Sequence, residues 1–205
     1  MRIALIHALR ASVTPINEAF ARLWPQAVLM NLLDDSLSAD LARGAELERD
    51  MTPRFLTLAR YARGTGADGI LFTCSAFGPC IEACAADLPI PVLKPTEAMI
   101  EDAEAYARVG VLATFGPTLV SLPPEFGRPV ETKLAEGAMA ALDAGNPDEH
   151  DRLSAEAAKS LAGCDVIALA QFSLARAADR VAKATGKTVL STPDSAVRKL
   201  QRLLG

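Results

Sequence analysis

Short unbroken apolar runs alternate along this chain with longer stretches of helical period, and this alternation constrains the fold more than any other feature. The runs are 2–8, 27–33, 69–74, 91–94, 108–114, 165–170 and 187–191. They are continuous rather than polar–apolar alternating, which marks strands covered on both faces, as in a parallel sheet. Helical patterns fill 15–23, 41–63, 78–86, 96–107, 147–162, 174–185 and 193–204, with Pro53 expected to bend or split the second of these. Strand–helix alternation with short turns predicts an α/β fold with parallel sheets flanked by helices.

The chain has 205 residues, enough for one compact domain or two small lobes. Half of the residues are hydrophobic and the net charge is −4. Without a Lys/Arg cluster it has no footprint for a phosphate backbone, so no nucleic-acid partner is expected. No apolar run reaches the roughly 18 residues of a membrane span, so no membrane partner is expected either. The opening Met1–Ile6 run is too short for a signal sequence and reads as a first strand, which places the chain in the cytoplasm by expectation. Two histidines and four cysteines make no disulfide framework.

The two halves echo each other. The run ending Phe72-Thr73-Cys74 leads into a helix, as does the run ending Leu169-Ala170-Gln171. This predicts two similar lobes, 1–94 completed by 191–205, and 95–190. Ligands of open α/β sheets bind beyond the carboxyl ends of strands. Cys74 and Gln171 are therefore expected to face a cleft between the lobes, with the Pro/Gly-rich segment 116–130 as a loop over it.

Cys74 is the sharpest candidate for chemistry. A strand-end thiol beside a helix N-terminus is expected to have a lowered pKa, which makes it a base or nucleophile. An inert packed cysteine is the competing reading. His7 ends the first strand, where it can orient substrate, move a proton or serve structure alone. Thr114-Phe115-Gly116-Pro117-Thr118 follows another strand, and its hydroxyls and amides suit an anionic group. The chain lacks GxGxxG and a phosphate-binding lysine loop, so no nucleotide cofactor is indicated. Cys80 and Cys84 share a helix face with no zinc spacing and no nearby histidine, so packing is favoured over metal. His150 lies in a polar helix start, and Cys164 reads as a small core residue.

The segments GILFTCSAFG (69–78), RVGVLATFGPTL (108–119) and DVIALAQFSLA (165–175) resemble the aspartate/glutamate/hydantoin racemase superfamily, whose relatives include maleate isomerases and arylmalonate decarboxylases. The resemblance runs through nearly the whole chain in order and spacing. It implies two α/β lobes, no cofactor, a small carboxylate substrate and a homodimer. It also implies proton transfer at the carbon α to a carboxylate, by two cysteines on opposite faces. Cys74 matches the first cysteine. His7, Thr73, Ser75, Ala76, Thr114, Gly116, Thr118, Gln171 and Ser173 fall where substrate-binding groups are implied. The second cysteine is replaced by Gln171, which has no titratable proton at neutral pH. Cys164, seven residues earlier, lies about 20 Å from that strand end by strand rise. A symmetric two-thiol mechanism is therefore not expected. A single-cysteine decarboxylase and an inactive carboxylate-binding relative are the alternatives.

Overall fold

A computed structural model describes residues 1–205, the side chain of Glu48 excepted. The chain divides into two compact units. Met1–Glu97 with Ala196–Gly205 form the first, and Ala98–Ser195 the second.

The first unit contains β1 (Arg2–His7), α1 (Val13–Leu23), β2 (Val28–Leu33), α2 (Ser36–Ala42), α3 (Thr52–Gly64), β3 (Gly69–Phe72), α4 (Gly78–Asp87) and β4 (Val92–Leu93). Its four strands form one sheet in the order β2-β1-β3-β4, every pair parallel. Both faces of β1 are covered, so Ile3, Ala4, Leu5 and Ile6 are all buried. This is why the run has no polar alternation. The stretch 41–63 is split, with a π turn at Leu47–Met51 ahead of α3. Pro53 occupies the first turn of α3, where its missing N–H costs nothing.

The helix α5 (Glu97–Ala103) carries the chain into the second unit. There follow β5 (Val109–Ala113), α6 (Thr118–Ser121), β6 (Glu131–Leu134), α7 (Ala138–Asp143), α8 (Pro147–Ala158), β7 (Val166–Leu169), α9 (Ala178–Thr185), β8 (Thr188–Ser191) and α10 (Thr192–Leu204), whose later turns belong to the first unit. The second sheet has the order β6-β5-β7-β8, again all parallel. The two sheets thus share one topology: second, first, third and fourth strand of each unit. Leu112, Ile167 and Leu169 pack on one face of the second sheet, and Val111, Val166 and Ala168 on the other.

Three segments differ from the sequence expectation. β6 has no apolar run behind it, and α7 falls where no helix is expected. Segment 116–130 is built from α6 and a 3-10 turn at Pro123–Phe126 rather than a plain loop. Among the described residues, no helix is long and apolar enough to cross a membrane.

Candidate functional site

The carboxyl ends of β1 and β3 lie side by side, because Ile6 pairs with Phe72. His7, Thr73 and Cys74 follow directly from that register. Thr73 N–H donates to the Ile6 carbonyl at 3.1 Å, carrying the ladder one residue further. Cys74 then caps a 3-10 turn, Ser75–Phe77, that leads into α4. Phe55 of α3 holds this turn from beneath, with ring centroids 5.2 Å from Phe72 and 4.8 Å from Phe77. Aromatic contacts of this kind fix the turn on both sides of the cysteine.

Cys74 is half-buried, whereas Cys80, Cys84 and Cys164 are buried. Ser75 and Ala76 beside it are exposed. Burial pushes the Cys74 thiol up, while the Ala76 N–H and the Ser38 hydroxyl against the sulfur pull it down more weakly. This corrects the expectation that a helix start lowers this pKa. Only a short 3-10 turn begins at Cys74, and desolvation outweighs its donors. The resting group is a thiol, able to give a proton but needing help to take one.

His7 is fully buried and held on both nitrogens. Nε2 lies 2.9 Å from Asn31 Oδ1, and Nδ1 lies 2.9 Å from Thr73 Oγ1 and 3.1 Å from Ser12 Oγ. An amide oxygen only accepts, so Nε2 carries the proton and Nδ1 accepts from a hydroxyl. Ser12 donates to the Leu9 carbonyl at 2.8 Å, which leaves Thr73 as the donor to Nδ1. Asn31 is fixed by amide exchange with Asn17, 3.2 Å in each direction. Burial pushes the His7 pKa below its ordinary value, partly offset by Asn31. His7 therefore sits behind Thr73, positioning it, without exposed surface of its own.

In the second unit the ends of β5 and β7 are adjacent in the same way, with Leu112 paired to Leu169. Gln171 Oε1 accepts from Thr114 N–H at 2.7 Å and from the Thr114 hydroxyl at 3.0 Å. Gly116, Thr118 and Ser173 stand close in sequence to this pair and are partly buried. The Thr118 N–H is taken by the Phe115 carbonyl at 3.1 Å. The residues expected to form a site thus assemble into one group in each unit: Cys74, His7, Thr73, Ser75 and Ala76, and Thr114, Gly116, Thr118, Gln171 and Ser173.

Sequence reasoning missed Ser12, Asn17, Asn31 and Ser38. Asn31 carried a signal, being the polar residue inside the apolar run 27–33. His150 is buried on α8, with Nδ1 2.7 Å from Asp151 and Nε2 unpartnered among the described residues. Among the described residues, no cluster of three or more His, Cys, Asp or Glu side chains is arranged to hold a metal.

Twin parallel sheets carrying strand-end polar groups define a two-unit α/β fold of the racemase type. A family model for Asp/Glu/hydantoin racemases matches residues 11–200, and the chain belongs to that family. Among solved structures, the allantoin racemase from Klebsiella pneumoniae shares 20% identity, with 100% of this chain and 87% of that chain covered and a TM-score of 0.76. The glutamate racemase from Thermus thermophilus shares 17%, with 99% and 80% covered and a TM-score of 0.71. An unliganded arylmalonate decarboxylase shares 17%, with 100% and 93% covered and a TM-score of 0.68. These likenesses are likenesses of fold. No curated protein matches the sequence.

Proposed function

We propose that this chain is a cofactor-independent enzyme of racemase or isomerase type. It acts at the carbon α to a carboxylate in an amino acid or a derivative such as a hydantoin, with Cys74 as its acid/base group. The carrying observation is that Cys74 alone of the four cysteines is not fully buried, and stands just beyond the end of β3 with exposed Ser75 and Ala76 beside it. Removing a proton next to a carboxylate places charge on oxygen, so fixed N–H and O–H donors are the needed companions. Exposed Ser75 and Ala76 beside the sulfur, with Gly116, Thr118, Gln171 and Ser173 from the second unit, are assigned to that role. Thr73 and His7 set the strand end behind Cys74, and Thr114 orients Gln171. The reading takes a small carboxylate as substrate and carries with it a cytoplasmic homodimer.

A second reading is a single-cysteine decarboxylase. It is favoured by the raised thiol pKa and by Gln171, which has no proton to give at neutral pH. In that reaction the bond to the leaving carboxylate breaks and carbon dioxide departs. The electron pair remains as an enediolate, and the Cys74 thiol protonates the carbon. Water then returns a proton to the thiolate.

The test is proton NMR in deuterated water across amino acids and hydantoins, alongside carbon dioxide release from substituted malonates. Exchange or release that disappears in Cys74→Ala supports the reading, and which signal appears separates the two reactions. Neither signal from the wild type, with small dicarboxylates still raising its Tm, would leave a carboxylate-binding relative.

A further inference from the structure

Leu37 of α2 is fully buried and lines one narrow crevice with Cys74, Ala8, Phe55 and Phe72. The crevice has no room for a water molecule. His7 is the titratable group that shares it with Cys74, and its ring nitrogens are engaged by Asn31 and Thr73. Arg54, in the first turn of α3, bonds to both ends of α2. Its Nη1 donates to Asp40 Oδ2 at 2.7 Å, and its Nη2 donates to Asp34 Oδ2 at 2.8 Å and to the Ser36 hydroxyl. The other oxygen of Asp34 accepts the Ser36 N–H at 3.1 Å, which opens α2. The Asp34 N–H donates to the His7 carbonyl at 3.0 Å, which ties that end to β1.

We infer that Arg54 is a positioning residue for Cys74: by clamping both ends of α2 it holds Leu37 in the crevice and keeps water from that side of the cysteine. The role rests on Cys74 being the acid/base group. A helix of seven residues does not hold itself in water, so its ties to neighbours set where α2 lies. Those ties are Leu37 in the core, the Ser38 hydroxyl on the Ala8 carbonyl at 3.0 Å, and Arg54 at the two ends. The Arg54 side chain is 32% exposed, so its ion pairs are partly shielded from water and salt. With α2 in place Cys74 meets apolar side chains in the crevice, and a dry surrounding favours the thiol over the thiolate. The thiol is the form that gives a proton. With the clamp released, α2 opens locally, water enters the crevice, and both the access to Cys74 and its ionisation increase.

The test is the pH dependence of iodoacetamide alkylation, read by mass spectrometry on the peptide carrying Cys74. This readout needs no substrate, and buried Cys84 and Cys164 report general loosening in the same samples. Arg54→Gln is expected to speed alkylation of Cys74 at pH 8 about fivefold and to lower its midpoint, with Cys84 and Cys164 unchanged, since a partly shielded set of charge-assisted bonds is lost. Arg54→Lys keeps the charge but has one nitrogen, which does not span both carboxylates, so it is expected to behave like Arg54→Gln. Wild-type behaviour of Arg54→Lys overturns the clamp. A lower Tm in Arg54→Gln with an unmoved Cys74 midpoint overturns the inference, and so does an equal rise at Cys84 and Cys164, because both are what a merely structural ion pair gives. If Arg54→Gln fails to fold, Asp40→Asn weakens the far end of the clamp alone and carries the same comparison. An unmoved midpoint beside intact turnover sinks the Arg54 role alone, whereas a wild type without turnover sinks the Cys74 reading.

Discussion

Gln171 Oε1 takes both donors that Thr114 offers, the backbone N–H at 2.7 Å and the hydroxyl at 3.0 Å. Each is a donor that an anionic ligand of this turn would otherwise use. The oxygen of the carboxamide is therefore committed to the protein, and its NH2 is the end left to donate. In the proposed function, this orientation assigns Gln171 to an acceptor on the ligand, such as a carboxylate oxygen, and to binding rather than to proton transfer.

Gln171→Glu separates binding from folding. The new carboxylate still accepts from Thr114, so stability changes by less than about 1 kcal/mol in urea denaturation. It replaces a donor by a negative charge, so KM for a carboxylate substrate rises at least about tenfold, the effect of one lost charge-assisted hydrogen bond. Gln171→Leu removes the acceptor from a partly buried N–H and lowers stability by about 1–2 kcal/mol. Equal KM values in wild type and Gln171→Glu would remove Gln171 from the binding site.

Much of the architecture was legible because burial on both faces writes itself as continuous apolar runs. β1, β3, β5, β7 and the short β4 are buried almost throughout and lie within the expected segments, whereas β2 and β8 lie within theirs although they are partly exposed. β6 was not legible. It is an edge strand with Glu131, Thr132 and Lys133 exposed, and only its pairing with β5 makes it a strand. α7 was hidden in the same way, since a six-residue helix shows too little period. The site divides similarly. Cys74, His7 and Gln171 were visible as the residues ending apolar runs. Asn31 showed only as a polar residue inside an apolar run, and Ser38 not at all, because its bond to the Ala8 carbonyl comes from α2 reaching back to the end of β1, which local sequence does not encode. The direction of the thiol pKa was not legible either, because burial depth depends on long-range packing.

The His7 cluster sets an acid limit on stability. Burial is the largest cause of its lowered pKa, so the folded value lies below 6.5. Below that pH the unfolded chain binds the proton more readily than the folded one. Stability is full above about pH 6.5 and declines as pH falls through the folded pKa. His7→Gln lacks this titration, and loses about 1–3 kcal/mol at neutral pH through the disturbed Thr73 and Asn31 bonds. Urea midpoints between pH 7.5 and 5 check both effects. Parallel pH curves for the two proteins would show that His7 does not titrate between the two states.

Cys84 acts at the opposite end of the pH scale. Burial, then the neighbouring Cys80 and Asp87, push its pKa from 9.0 to about 12. A raised folded pKa gives stability that is complete below pH 9 and lost as pH rises toward 12. The loss amounts to about 4 kcal/mol at most, from three pKa units. Cys84→Ala removes this contribution, so its stability falls less steeply across that window. It pays a cavity cost of about 1 kcal/mol at neutral pH. Thermal unfolding at pH 7, 9 and 10.5 makes the comparison, and identical slopes would mean that Cys84 stays out of the alkaline transition.

Gly110 shows how closely the second unit is packed. It lies in β5, and a Cβ there would stand 3.0 Å from Leu161 Cβ and 3.1 Å from Cys164 Sγ. Leu161 Cβ is tied to its backbone and cannot rotate away, so Gly110→Ala requires the segment carrying Leu161 to give by a few tenths of an ångström. The expected cost is about 1–3 kcal/mol, the usual penalty for overpacking. Cys164 presents only a sulfur, so Cys164→Ala added to Gly110→Ala relieves one of the two contacts. It recovers part of the loss, although Cys164→Ala alone destabilises by leaving a small cavity. The two substitutions are thus non-additive, as expected of residues in contact. A urea-denaturation double-mutant cycle measures the coupling, and strict additivity would mean that Cys164 does not limit the space at Gly110.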